Sequence, residues 1–248
     1  MKHVINVFYV VALFVCSSCD KWLDVQPDLD IYETTLFESE QGYYIALNGL
    51  YVDMSSTELW GKEMVWGAME AWGHSYAIES NESSFPGYVQ LMNYEYDKEE
   101  AKNIAKNIWE KSFRVIAEAN NLLQNIANDN TTFIGKEDVK NMIIGEALAV
   151  RAMMHFEMVR IFAQAPIVDG GTSKTVPYVT QYPSEVNPPL ETNEVLEKIM
   201  IDLDSAKVLL QPFDAATSGR GYQLSWWDGK VENRLKLLNS SSGAVEDE

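Results

Sequence analysis

The sequence predicts an all-α protein in which long helices are joined by long irregular loops. Three observations carry that expectation. Apolar residues recur at three- and four-residue spacing over four separate segments. Glycine and proline gather between those segments. No stretch alternates apolar and polar residues over several positions, as a half-buried strand must. Of the 248 residues, 46% are hydrophobic and 11% aromatic, enough to build a packed core.

The first helix is expected from about Ser39 to Met54, on the stripe Tyr43, Ala46, Leu47, Leu50 and Tyr51. Residues Ser55 to Tyr96 lose that period and collect Gly61, Gly67, Gly73, Pro86 and Gly87, with room for a short helix within Glu63 to Trp72. The period returns from about Lys98 to Asn128, with Ala105, Trp109, Phe113, Ile116, Asn120, Leu123 and Ile126 on one face and Asp129-Asn130 closing the helix. The third helix, Lys136 to Phe162, has the stripe Ile144, Ala147, Leu148, Arg151, Met154, His155, Met158, Ile161 and Phe162 and stops at Pro166. Phe156, Met158 and Phe162 are expected to be buried. Asp169 to Pro189 reads as a surface loop. Asn193 then caps a fourth helix to about Leu210, with Val195, Leu196, Ile199, Met200, Leu203, Ala206 and Leu210 as its apolar positions. The second and third helices share the short acidic link Asn128 to Gly135, so they form a hairpin resembling one unit of a helix-pair repeat.

The N-terminus carries an export signal. Met1 and Lys2 precede an apolar run from Val4 to Val15, and Ser17-Ser18 lead into Cys19. Twelve residues are too few for a membrane span, which needs about 20. The order matches a bacterial signal ending at a lipid-modified cysteine. The alternative is an ordinary secretory signal cleaved near Ser18, with Cys19 an incidental thiol. Lipidation at Cys16 fits less well, because bulky Val15 would flank the cleavage point. Cleavage before Cys19 removes Cys16, so the mature chain is expected to hold no disulfide.

Charge argues against nucleic acid as a partner. There are 19 Lys+Arg against 37 Asp+Glu, a formal net charge of -18, and no basic run to displace counterions from phosphate. The dispersed acidic residues read as a well-solvated surface. Arg151 on an apolar face is expected to be a buried, paired charge, with Glu146 or Glu118 as partner. Asn120 and Asn121 are expected to hydrogen-bond neighbouring helices, and His155 to be a satisfied core histidine. His3, His74 and His155 are too few and too scattered for a metal site, and no cofactor is expected. The chain has no G-x-S-x-G, phosphate-cradling loop or zinc helix motif, so catalysis is not expected.

Four ordered segments are similar to one family. They are Cys19-Asp20-Lys21-Trp22-Leu23-Asp24-Val25; Ile108-Trp109 through Ala119-Asn120-Asn121-Leu122-Leu123; the run from Gly145 to Phe162; and Glu194-Val195-Leu196 through Asp202-Leu203. Together they resemble the SusD/RagB family of outer-membrane lipoproteins over essentially Cys19 to Leu210. The resemblance implies a helical fold of tetratricopeptide-like helix pairs, anchored to the outer membrane through lipid. It implies a lid over a SusC-like, TonB-dependent channel that binds oligosaccharide or peptide and does not cleave it. Family members are usually about twice this length, and Val231 to Glu248 replaces an expected alanine-rich helix with Asn239-Ser240-Ser241-Ser242-Gly243. The organisation expected is therefore a signal at 1–18, a lipidated tether at 19–38, a SusD-like N-terminal helical domain at 39–220 and a divergent tail at 221–248, truncated or frameshifted after about Trp227.

The aromatic residues between Leu59 and Tyr96 are the candidate ligand surface, because sugar rings lie with their C–H faces on flat aromatic rings while polar groups fix the hydroxyls. Trp72 and Tyr76, beside His74, stand out because Gly73 permits an exposed turn, and Trp66 joins them. With the family's C-terminal half absent, sugar binding is expected to be weak, in the millimolar range. The alternative function is a helix-pair scaffold that docks on the channel with no ligand site of its own.

Overall fold

The computed structural model describes residues 35–78 and 84–213. The export signal, Cys19, most of the 19–38 tether and the 221–248 tail lie outside the described residues. Four long helices form the body. They are α1 (Glu40–Met54), α4 (Glu99–Asn128), α5 (Glu137–Phe162) and α7 (Thr192–Leu210). Two short helices, α2 (Ala68–Trp72) and α3 (Pro86–Met92), fill the connection from α1 to α4. A single turn, α6 (Pro166–Asp169), follows α5, and β1 (Lys174–Val176) pairs antiparallel with β2 (Leu190–Glu191) before α7.

The helices begin and end for local reasons. Ser39 caps α1, its hydroxyl accepting the Gly42 N–H at 3.2 Å, with Glu40 in the first turn where the helix dipole favours negative charge. After α4, one oxygen of Asp129 accepts the N–H groups of Thr131 and Thr132, so the α4–α5 link is a side-chain-stitched turn. Proline starts both α3 and α6 at a position where its missing N–H has no helical partner to lose.

Packing fixes the order of the helices. α4 and α5 form the expected antiparallel hairpin, with Trp109 against Phe162, Phe113 against His155 and Asn120 against Arg151. α1 runs beside α5, with Glu40 bonded to Lys136 and the Tyr51 hydroxyl to Glu146. α7 lies antiparallel to α5, and Gly145 lets them approach closely, since a Cβ there would stand 2.7 Å from the Leu210 side chain. One apolar cluster joins α1 to the facing halves of α4 and α5. A second joins α2, α3, the other halves of α4 and α5, and the start of α7.

Several expectations are corrected. The α4 stripe holds at Ile116, Asn120 and Ile126, which are buried as expected, and is rotated elsewhere: Ala101, Ile108, Ser112, Val115, Ala119 and Leu122 are also buried, while Ala105, Trp109, Phe113 and Leu123 flank them. Tyr51, Phe156, Met200 and Leu203 are exposed, because each helix buries a narrower arc than its apolar pattern offers. Asn193 does not cap α7, for Glu191 holds that position and the Asn193 amide donates to Gly170 O. Pro166 begins α6 after α5 has already ended at Phe162. The predicted loop holds β1, which pairs with β2 just beyond the loop's end, in a ladder too short to leave an alternating pattern.

A buried polar network ties the helices together. Arg151 donates Nε and Nη2 to the two oxygens of Asp202 at 2.7 and 2.8 Å and Nη1 to Asn120 Oδ1 at 3.0 Å. Its partner is therefore Asp202 on α7, not Glu146 or Glu118, which bond Tyr51 and Arg114 instead. Asn120 donates to Val179 O, and the Tyr178 hydroxyl donates to Asp202. His155 is a satisfied core residue: Nε2 accepts the Val179 N–H at 3.0 Å, which leaves Nδ1 protonated to donate to Arg151 O at 2.9 Å.

Candidate functional site

A cleft of about 700 Å³ opens where α2, the turn after α3, the first half of α4 and the end of α5 meet. Met69 and Trp72 come from α2, Tyr94 and Tyr96 from the turn, Ala101, Ala105 and Trp109 from α4, and Ile161 and Phe162 from α5. The exposed side chains of Lys102, Lys106, Glu110 and Arg160 border it.

Local sequence explains the hollow. Ala101 and Ala105 stand one helical turn apart on α4 and leave space that Trp109, one turn further, closes. Gly87 seats α3 tightly on α4, since a Cβ there would stand 2.7 Å from the Ile104 side chain, and so delivers the Tyr94–Tyr96 turn to the mouth. Trp109 meets Phe162 edge-on, with ring centres 5.0 Å apart, which fixes both rings. Burial, with Tyr94 adding to it and Trp72 opposing it, raises the Tyr96 pKa, so the hydroxyl stays neutral as donor and acceptor.

The backbone is strained on this side of the cleft. His74 and Tyr94 have φ of 53° and 58°, the left-handed region that favours glycine, at a conformational cost of about 1 to 3 kcal/mol each. They hold each other, with His74 Nε2 and Tyr94 Oη 3.2 Å apart and rings 5.6 Å between centres. Gly73 itself is in the right-handed region, so the turn's unusual conformation falls on His74 and not on the glycine that the sequence pointed to.

The residues singled out from sequence separate here. Trp72 lines the cleft, and His74 supports it from behind through Tyr94. Trp66 and Tyr76 do not line it. The Tyr76 hydroxyl donates to the Trp66 carbonyl and ties those two to each other.

Comparison with known proteins supplies the family. Residues 21–214 match the SusD-like family described as starch-binding and associating with the outer membrane. The chain belongs to the SusD-like family. It is 26% identical to SusD-like protein P25 of Formosa agariphila over 247 residues, covering 96% of this chain and 43% of that protein. SusD-like proteins P2 and P38 of the same organism are 22% and 23% identical over 82% of this chain, and 37% and 36% of their own lengths. The SusD-like chain thus spans about two fifths of the length of these curated relatives. No solved structure gives a significant match.

Chemically, the cleft offers aromatic contact bordered by polar groups. Aromatic faces and edges form its floor, hydroxyls and charged tips its border, and among the described residues that line it Glu110 is the one carboxylate. Among the described residues no cluster of His, Cys, Asp and Glu is arranged to hold a metal ion, and no helix is long and apolar enough to cross a membrane. Sequence reasoning missed Trp109 and Phe162 as site residues, because it assigned both wholly to the core. The signal available was the pair of alanines one and two turns before Trp109.

Proposed function

We propose that this chain captures a glycan in the aromatic cleft and serves as a non-enzymatic binding component of an outer-membrane nutrient-uptake system. In that role Cys19 carries the lipid anchor, and the captured oligosaccharide passes to a SusC-like, TonB-dependent channel. The observation that carries the reading is the cleft itself. Trp72, Tyr94, Tyr96, Trp109 and Phe162 gather around one hollow of ligand size, within a family described as starch-binding.

Aromatic rings supply the apolar contact for sugar C–H faces, while the Tyr94 and Tyr96 hydroxyls can bond sugar hydroxyls. The expected affinity is about millimolar for an open cleft of this kind, equivalent to roughly 4 kcal/mol. The test is a titration of the purified protein with malto-oligosaccharides and other hexasaccharides, followed by intrinsic tryptophan fluorescence. Binding that weakens at least about tenfold in Trp72→Ala is the expected result. Equal binding by Trp66→Ala and Trp72→Ala proteins, or no binding to any hexasaccharide by the folded protein, overturns the reading.

A second reading has one observation in its favour. Met200, Ile201, Leu203 and Val208 are exposed on α7, as a helix-pair scaffold docking on a protein partner would present them. Pull-down with the channel by a chain that binds no sugar is its signature.

A further inference from the structure

We infer that the glycan taken by this cleft is anionic, carrying carboxylate or sulfate groups along its chain. The inference rests on the glycan-binding reading above and narrows its substrate class. It is carried by the distribution of charge. The whole chain has nearly twice as many acidic as basic residues, yet among the described residues that line the cleft three are cations, Lys102, Lys106 and Arg160, against the single carboxylate of Glu110. In a protein of net charge -18 this is a local reversal of sign.

The geometry gives the reversal a use. Lys102 and Lys106 stand one turn apart on α4, about 6 Å along the helix axis, on the scale of one sugar ring. Both neighbour the alanines that make the hollow, so their ammonium groups border the space a sugar would fill. Of the neighbouring acids, Glu99 accepts from Asn103 and Glu100 from Gln90 on α3, while Glu70, Glu95 and Asp97 are not among the residues that line the cleft. Arg160 is paired with Glu157, and Lys106 lies 3.7 Å from Glu110, whereas Lys102 makes no ion pair among the described residues. Repulsion from the remaining surface is screened beyond about 8 Å at physiological ionic strength, so contact charges decide the preference.

The test is competition among three hexasaccharides, one neutral (maltohexaose), one carboxylated (hexagalacturonate) and one sulfated (a carrageenan-type hexamer), against the purified chain. Tryptophan fluorescence reads binding, and a thermal melt of each variant reports folding. At least one charged hexamer should bind more tightly than the neutral one, and which one it is separates carboxylate from sulfate recognition. In Lys102→Gln/Lys106→Gln the ratio of charged to neutral affinity should fall about tenfold, the scale of two partly exposed ion pairs. Glu110→Gln should raise the same ratio. Tighter binding of maltohexaose, lost in Trp72→Ala, would overturn the anionic preference and leave glycan capture standing. A ratio unmoved by both rim variants would do the same. Binding of none of the three would remove both readings together.

Discussion

Arg151 and Asp202 lie 51 residues apart in the chain and meet through two hydrogen bonds in the interior, where both are at least nine-tenths buried. Removing one partner leaves the other charge buried and uncompensated. Arg151→Ala or Asp202→Ala should therefore lower stability by about 3 to 5 kcal/mol, while Arg151→Met combined with Asp202→Leu should lower it far less, as urea melts will show. His155 sits in the same network, and its pKa is pushed down to about 4 by burial, with the nearby Arg151 charge acting in the same direction. An unfolded histidine titrates near 6.5. Between those values the unfolded chain takes up a proton that the folded chain refuses, so stability falls as pH drops from about 6.5 to 4, by roughly 3 kcal/mol in total. His155→Gln, which keeps an acceptor for Val179, should flatten that part of the pH profile when urea melts at pH 7 and 4.5 are compared with those of the unmodified protein.

At the scale of elements, α5 separates pattern from burial. Met158 is fully enclosed in the second apolar cluster, whereas Phe156, two residues earlier, is 44% exposed on the other side of the same helix. Met158→Ala should lower stability by about 2 to 5 kcal/mol. Phe156→Ala should lower it by less than about 1 kcal/mol. The sequence expectation grouped the two because α5 is apolar on more than one face. Its glycine, alanines and methionines let α4 pack on one side and α7 on another, and Phe156 falls outside both contacts. For α4 the reverse holds. Its Ala105–Trp109 edge was expected in the core and instead lines the cleft, beside the fully buried Ala101.

For the whole molecule, the anchor proposed at Cys19 would hold the cleft at the membrane. Replacing Cys19 with Ala should shift the protein from membrane to soluble fractions, and unchanged retention in the membrane fraction would rule out this anchor. The family, the four long helices and the α4–α5 hairpin were determined by the sequence alone, because helical periodicity and family motifs are local patterns along the chain. The aromatics of 59–96 were only the expected ligand surface, and the sequence did not say which of them share a hollow. Only the tertiary structure decided that Trp72 faces the hollow while Trp66 and Tyr76 bond each other. It alone chose Asp202 for Arg151 and brought Trp109 and Phe162 to Tyr94 and Tyr96. The physical reason is that each of these depends on how helices rotate and approach one another, which is set by small contacts such as Gly87 on Ile104 and Gly145 on Leu210, between residues far apart in the chain or on separate helices.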